Sequence, residues 1–103
     1  MTRFKVNFSG EVEAEMIIKE EFYKLIAQKG EPLLYLSRSR VFPKVFLKVF
    51  DLVDTPVVEF IFSNKTAMDL FFEEYKDKPM SLFAEVCKIV VNTIKENKWI
   101  RGL

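Results

Sequence analysis

Three carboxylates in this sequence could take part in metal chemistry. Asp51, Asp54 and Glu59 bracket a predicted hairpin, and converging carboxylates can bind Mg²⁺ for phosphodiester hydrolysis. However, many such nucleases carry a lysine two residues after an acidic residue, and no lysine stands at that position after Glu59. Asp54 is explained by a turn whose backbone its side chain caps. A carboxylate-metal nuclease is therefore the remotest of our hypotheses, and we assign no metal, cofactor or catalytic residue.

Other groups for catalysis are scarce. General acid–base catalysis most often uses histidine, and the chain contains none. Its single cysteine, Cys87, lies in an apolar helical pattern that is typical of a small buried side chain rather than a reactive thiol. One cysteine also excludes an intramolecular disulfide. We predict that the chain is not an enzyme.

Residues 36–50, LSRSRVFPKVFLKVF, are the best candidate for a binding surface. If residues 44–50 form a strand, rings and lysines share one face, and Val45, Leu47 and Val49 share the other. A face of rings and cations can stack nucleic-acid bases, or it can bury its rings against another protein. Nucleic-acid surfaces usually carry excess positive charge, whereas this chain has 16 Lys+Arg against 15 Asp+Glu. Protein binding is therefore favoured.

The predicted interaction residues follow from this choice. For protein binding they are Phe46, Lys48, Phe50, Phe71, Phe72 and Trp99. Phe71 and Phe72 are alternatives, because adjacent rings on a short helix cannot both face one core. For nucleic acid, the second hypothesis, they are Arg38, Arg40, Lys44 and Lys48.

The elements that must position these residues predict an α+β fold. Residues 3–9 alternate as a strand, and residues 12–29 are predicted as one helix, because Glu, Ala and Met favour helices. The alternative for residues 11–17 is a hairpin in which Lys5 faces Glu15 and Phe4 faces Met16. Further strands are predicted at 33–39, 44–52 and 57–62, and helices at 66–76 and 80–98. For 44–53, a helix is the less favoured alternative.

The predicted order is thus β-α-β-β-β-α-α. It describes a small, mostly antiparallel sheet with helices packed on one face, in a single domain covering residues 1–103. The chain contains eleven Phe, three Tyr and one Trp, which are more rings than so short a chain easily buries. We therefore predict a homo-oligomer, namely a dimer. No run of about 20 apolar residues and no secretion signal is found, so we expect an intracellular protein without a membrane partner.

The overall composition resembles that of small orphan proteins from hyperthermophilic archaea and their viruses. The chain lacks histidine, contains one glutamine, and is rich in Lys, Glu, Ile, Val and Phe. This resemblance implies a non-enzymatic accessory module, commonly dimeric, located in the cytoplasm, or in the host cytoplasm if the source is viral. We therefore predict a non-catalytic module that self-associates or binds a protein or peptide segment at a sheet face or edge.

Overall fold

Five strands form a single antiparallel sheet in the part of the chain that the structure describes. The structure is a computed structural model covering residues 2–8, 12–39, 41–51 and 53–101, with the backbone alone at 2, 12 and 94–101. The strands are β1 (Thr2–Phe8), β2 (Val12–Ile18), β3 (Leu34–Arg38), β4 (Lys44–Val49) and β5 (Thr55–Phe62). Their order across the sheet is β1-β2-β5-β4-β3, so β1 and β3 are the edges.

Three helices pack on one side of this sheet. They are α1 (Glu20–Ala27), α2 (Lys65–Tyr75) and α3 (Pro79–Arg101). Buried side chains from all three join those of the sheet in one hydrophobic cluster. We call this side the helix face and the opposite side, on which no described helix packs, the open face. The predicted α+β class with helices on one face is confirmed. None of the described helices has the length and apolar character needed to cross a bilayer.

The segment after the first strand corrects the predicted helix at residues 12–29. Residues 12–18 form β2, and the helix is shortened to Glu20–Ala27. The alternative hairpin is right in its register, because Lys5 pairs with Glu15 and Phe4 with Met16. Strand β2 pairs with β1 on one side and β5 on the other. Burial of Met16 and Ile18 in the middle of the sheet thus overrides the helix propensity of the glutamates and the alanine.

The remaining predicted elements are confirmed with small shifts of their ends. Residues 44–49 form a strand, with Val45 and Leu47 fully buried on the helix face. Helix α2 begins after Asn64, whose side-chain oxygen accepts a hydrogen bond of 2.8 Å from the amide of Ala67. Such a cap satisfies an amide that has no partner within the helix.

A bulge in β5 lets two consecutive valines reach the core. Leu47 pairs with Val58 but Lys48 pairs with Pro56, so Val57 is the extra residue. Because side chains at a bulge depart from strict alternation, Val57 and Val58 are both fully buried. Proline also fits here, since it lacks the amide hydrogen that a regular central strand needs. The bulge therefore adds apolar contacts to the helix face at the cost of one regular pairing step.

Phe71 is the centre of the aromatic core. Its ring lies between 4.8 and 5.1 Å from the ring centroids of Phe8, Phe60 and Phe62, which come from two different strands. Its side chain is 2% exposed. This ring therefore joins helix α2 to both the edge strand β1 and the central strand β5.

We predict that Phe71→Ala lowers the free energy of unfolding by about 3–5 kcal/mol, the usual cost of removing a buried phenylalanine ring. Leu70→Ala is the matched control, because the neighbouring Leu70 is 60% exposed, and it should change stability by about 0.5 kcal/mol or less. Urea denaturation followed by circular dichroism measures both. Equal effects of the two substitutions would contradict this account of the core.

Candidate interaction surface

The open face divides into a charged half and an aromatic half. On this face β1 carries basic side chains and β2 carries acidic ones, and Arg3 forms an ion pair of 3.0 Å with Glu15. Lys5 stands opposite Glu15 on the neighbouring strand. These exposed pairs contribute little to stability, but they keep this half of the sheet hydrated.

Glu59 lies where the two halves meet, and it is the one buried charged residue in the described part of the chain. Its carboxylate binds Lys44 at 2.8 Å and Lys19 at 3.3 Å. Its direct neighbours across the sheet are Ile17 on β2 and Phe46 on β4. Burial alone would raise the pKa of Glu59, but hydrogen bonds and positive charge from the two lysines outweigh burial and hold the pKa below its ordinary value.

Rings and one lysine form the other half, which we call the aromatic corner: Tyr35, Phe46, Lys48 and Phe50. Lys48 stands opposite Tyr35, and its ammonium group lies 5.7 Å from the ring centroid of Phe46. The rings of Tyr35 and Phe50 are 5.8 Å apart, nearly edge to face. The predicted grouping of Phe46, Lys48 and Phe50 on one face is thus what the structure has. Burial first, and then the nearby Asp54 carboxylate, raise the pKa of Tyr35.

Tyr35 was missed by sequence reasoning, although a signal for it existed. Residues 33–39 alternate, which puts Leu33, Tyr35 and Ser37 on one face of the strand. Only the pairing of β3 with β4, in which Tyr35 meets Lys48, shows that this is the face that carries Phe46. Strand order cannot be derived from alternation, so the sequence alone did not connect the two strands.

The other residues predicted for protein binding lie elsewhere. Phe71 is a core residue, which corrects its place among the interaction candidates, because a ring that is 2% exposed cannot meet a partner. Its neighbour Phe72 is half-buried on the helix face, with the guanidinium of Arg38 at 4.3 Å from its ring centroid. Trp99 belongs to α3, and its side chain lies outside the described residues.

The four cations predicted for nucleic acid do not form one surface. Arg38 projects on the helix face, where it also binds Asp69 at 2.8 Å, whereas Lys44 and Lys48 project on the open face. Lys44 is paired with Glu59, and Arg40 lies outside the described residues. Positive charge here is therefore divided between two faces and is partly neutralised.

The three carboxylates considered for a metal do not converge either. Asp51 instead stabilises its own turn, accepting hydrogen bonds from the Val53 amide at 2.9 Å and the Thr55 hydroxyl at 2.8 Å. The Thr55 hydrogen bond contributes most to keeping the pKa of Asp51 below its ordinary value. The turn is capped by Asp51, and Asp54 occupies its left-handed position at φ 47°. Among the described residues, no group of three or more Cys, Asp or Glu side chains could hold a metal ion.

The exposed apolar side chains are concentrated at the two ends of the β3–β4 pair. The five most exposed large ones in the described chain are Val41, Val53, Leu33, Phe50 and Phe42, each 61–80% exposed. Val41 and Phe42 lie in the connection between β3 and β4, and the other three lie at the opposite end, where β3 begins and β4 ends. By contrast, no other phenylalanine is exposed, so the exposed phenylalanine rings are confined to these two ends.

Strand β3 also has free backbone groups along its outer side. The amide of Phe50 donates to the carbonyl of Leu33 at 2.7 Å, and the amide of Ser39 donates to the carbonyl of Lys44 at 3.0 Å. In an antiparallel pair, hydrogen-bonded residues alternate with outward-directed ones. The N–H and C=O groups of Leu34, Leu36 and Arg38 therefore point away from β4, and no described strand pairs with them.

Comparisons with protein-family models, with curated proteins and with solved structures found no match.

We predict that Glu59→Gln makes stability less dependent on pH. Because the pKa of Glu59 is lowered on folding, its stabilisation is complete above the unfolded pKa of about 4.3 and is lost as pH falls through the folded value. The substitution should lower the free energy of unfolding by about 1–3 kcal/mol at neutral pH, with a smaller difference near pH 3. Urea denaturation at both pH values measures the difference.

The control for this prediction is Glu74→Gln. Glu74 forms an exposed pair with Lys78 at 3.1 Å, and such pairs contribute little at any pH. A Glu59→Gln penalty of the same size at both pH values would show that the charge of Glu59 is not what stabilises the sheet.

Proposed function

We propose that the protein is a non-catalytic interaction module that binds an extended segment of protein along the outer side of β3. The observation that carries this proposal is the position of the exposed apolar side chains. The five most exposed of them lie at the two ends of the β3–β4 pair, whereas the other exposed ones are single residues on the three helices, as is usual for a protein surface. Exposed apolar side chains that cluster beside a free sheet edge are typical of a protein-binding site.

Strand addition explains how such a segment would be held. Its backbone would pair with the outward N–H and C=O groups of Leu34, Leu36 and Arg38, and main-chain pairing of this kind supplies affinity with little sequence preference. Alternate side chains of the segment would then lie on the open face, beside Tyr35 and Phe50 of the aromatic corner. Contacts with these rings would supply the selectivity, since aromatic anchors dominate protein interfaces.

Nucleic-acid binding through Arg38, Arg40, Lys44 and Lys48 stays the second prediction. The ion pairs of Arg38 with Asp69 and of Lys44 with Glu59 argue against it, because binding to phosphates would have to compete with these carboxylates. Titration with a labelled oligonucleotide at low and high salt separates the two hypotheses. Binding that is strong at low salt and lost at high salt would favour nucleic acid.

Peptides selected from a random displayed library, with the protein immobilised, test the proposal. We expect the selected peptides to be extended and to carry aromatic or β-branched residues at alternate positions. Amide chemical shifts should change on binding at Leu34, Leu36 and Arg38. Phe50→Ser should weaken peptide binding about tenfold, because exposed aromatic rings are frequent anchors of protein interfaces.

Leu70→Ser is the matched control, because Leu70 has a similar exposure, 60% against 67% for Phe50, but lies on α2. It should leave peptide affinity unchanged. Shift changes that lie only outside β3 and β4, or an equal loss of affinity in the two variants, would overturn the proposed site.

A further inference from the structure

We infer that the segment bound by β3 is the β3 strand of a second copy of this chain, paired antiparallel about a two-fold axis that passes beside Leu36. This inference rests on the proposed function and names its partner. The result would be one continuous sheet that runs through both copies, with the two open faces on the same side.

Backbone geometry supports this register. Leu36 is the central residue of β3 (Leu34–Arg38), so a two-fold axis there sets Leu36 opposite its own copy and Leu34 opposite Arg38 of the other copy. These are the residues whose N–H and C=O groups point outward. Every outward group within β3 would therefore obtain a hydrogen-bonding partner, which no shifted register achieves.

Charge complementarity supports a second copy as the occupant. The connection between β3 and β4 carries Arg40, flanked by Arg38 and Lys44, which are ion-paired with Asp69 and Glu59. The connection between β4 and β5 carries Asp51 and Asp54. These two connections lie at opposite ends of β4. An antiparallel pairing of β3 strands brings the basic end of one copy beside the acidic end of the other, twice in each dimer.

The acidic end has charge to offer such a partner. Neither Asp51 nor Asp54 forms an ion pair within the described residues, where the salt bridges involve other carboxylates. Opposite charges placed on facing surfaces also fix the orientation in which two chains meet. A parallel arrangement would put the like charges of both copies together.

The exposed apolar side chains agree with the same pairing. Leu33 and Phe50 lie at the acidic end, and Val41 and Phe42 lie at the basic end, each 61–80% exposed. In the proposed register Leu33 stands opposite Ser39 of the other copy, next to its Val41. Both ends of the pairing would thus bury apolar surface that a single chain leaves in water.

The other free edge of the sheet is unsuited to the same use. A two-fold pairing of β1 (Thr2–Phe8) would set its central residue Lys5 opposite Lys5 of the other copy. Like charges directly opposite each other destabilise a strand pair, and lysines on edge strands commonly prevent such association. We therefore expect β1 to stay unpaired.

Light scattering and cysteine cross-linking together test this inference. At high protein concentration we expect a mass twice the 12.2 kDa of one chain. For cross-linking, Cys87→Ala removes the natural thiol, and Tyr35→Cys and Ser37→Cys are made in separate chains. The proposed register sets position 35 directly opposite position 37 of the other copy, at a Cα distance of about 4.5 Å, which suits a disulfide.

Under mild oxidation, the mixture of the two variants should form a covalent dimer, and neither variant should do so alone. Equivalent positions in the two copies are about 8 Å apart in this register, since they are offset along the strands, and a disulfide does not span that distance. Arg3→Cys and Asn7→Cys, made in separate chains and mixed, are the control for the β1 edge, because this pair keeps Lys5, and the mixture should give no covalent dimer.

The outcomes separate this inference from the proposed function. A mass of one chain at all concentrations, together with peptide binding at β3, would overturn the second copy as partner and retain strand addition. A mass of two chains without the cross-link between positions 35 and 37, or with a cross-link between positions 3 and 7, would overturn the β3 pairing. A mixed cross-link with a two-chain mass supports it.

Discussion

A sheet has two faces, and in the described part of this chain helices cover only one of them. The three helices and the helix face of the sheet enclose a single core in which Phe71 joins β1, β5 and α2. Burial of that ring, together with the valines that the bulge in β5 turns inward, fixes α2 across the strands. The open face has no such cover, so its side chains must make an uncovered sheet compatible with water.

The side chains of the open face make it compatible with water in two different ways. On β1 and β2 most of the side chains are polar or charged, with Arg3 paired to Glu15, which suits permanent contact with water. At the centre Glu59 is buried between two lysines, where its neighbours Ile17 and Phe46 exclude water from the carboxylate. A buried carboxylate is unfavourable without partners, so Lys44 and Lys19 are tied to it and are less available to a phosphate backbone. Towards β3, aromatic rings replace charged side chains, and this is the part of the face where we propose that a partner binds.

The sequence allowed the fold class and most element positions to be predicted, because alternation in residues 3–8 and 44–49 and the Asn64 cap are local signals. The helix at 12–29 was wrong because local propensity pointed one way and pairing with two neighbouring strands pointed the other. The hairpin register was nevertheless available from the complementary Lys5 and Glu15.

Prediction of the candidate site was limited because it depends on how distant strands and helices are arranged. Phe46, Lys48 and Phe50 share a face because of alternation alone, so they could be grouped. The addition of Tyr35, the separation of Arg38 from Lys44, and the burial of Glu59 all depend on strand order. The choice between Phe71 and Phe72 depended on the direction in which α2 crosses the sheet. The sequence predicted many exposed rings, but only Phe42 and Phe50 of the eleven phenylalanines are exposed.

Hydrogen exchange of the β3 amides tests the central claim most directly, because that claim is that the outer side of β3 is where the chain meets its partner. The amides of Leu34, Leu36 and Arg38 should exchange rapidly in dilute protein and slowly at high concentration, while the amides of β1 keep the same rates. Rapid exchange of the β3 amides at every concentration, with no slowing when peptides are added, would contradict the account.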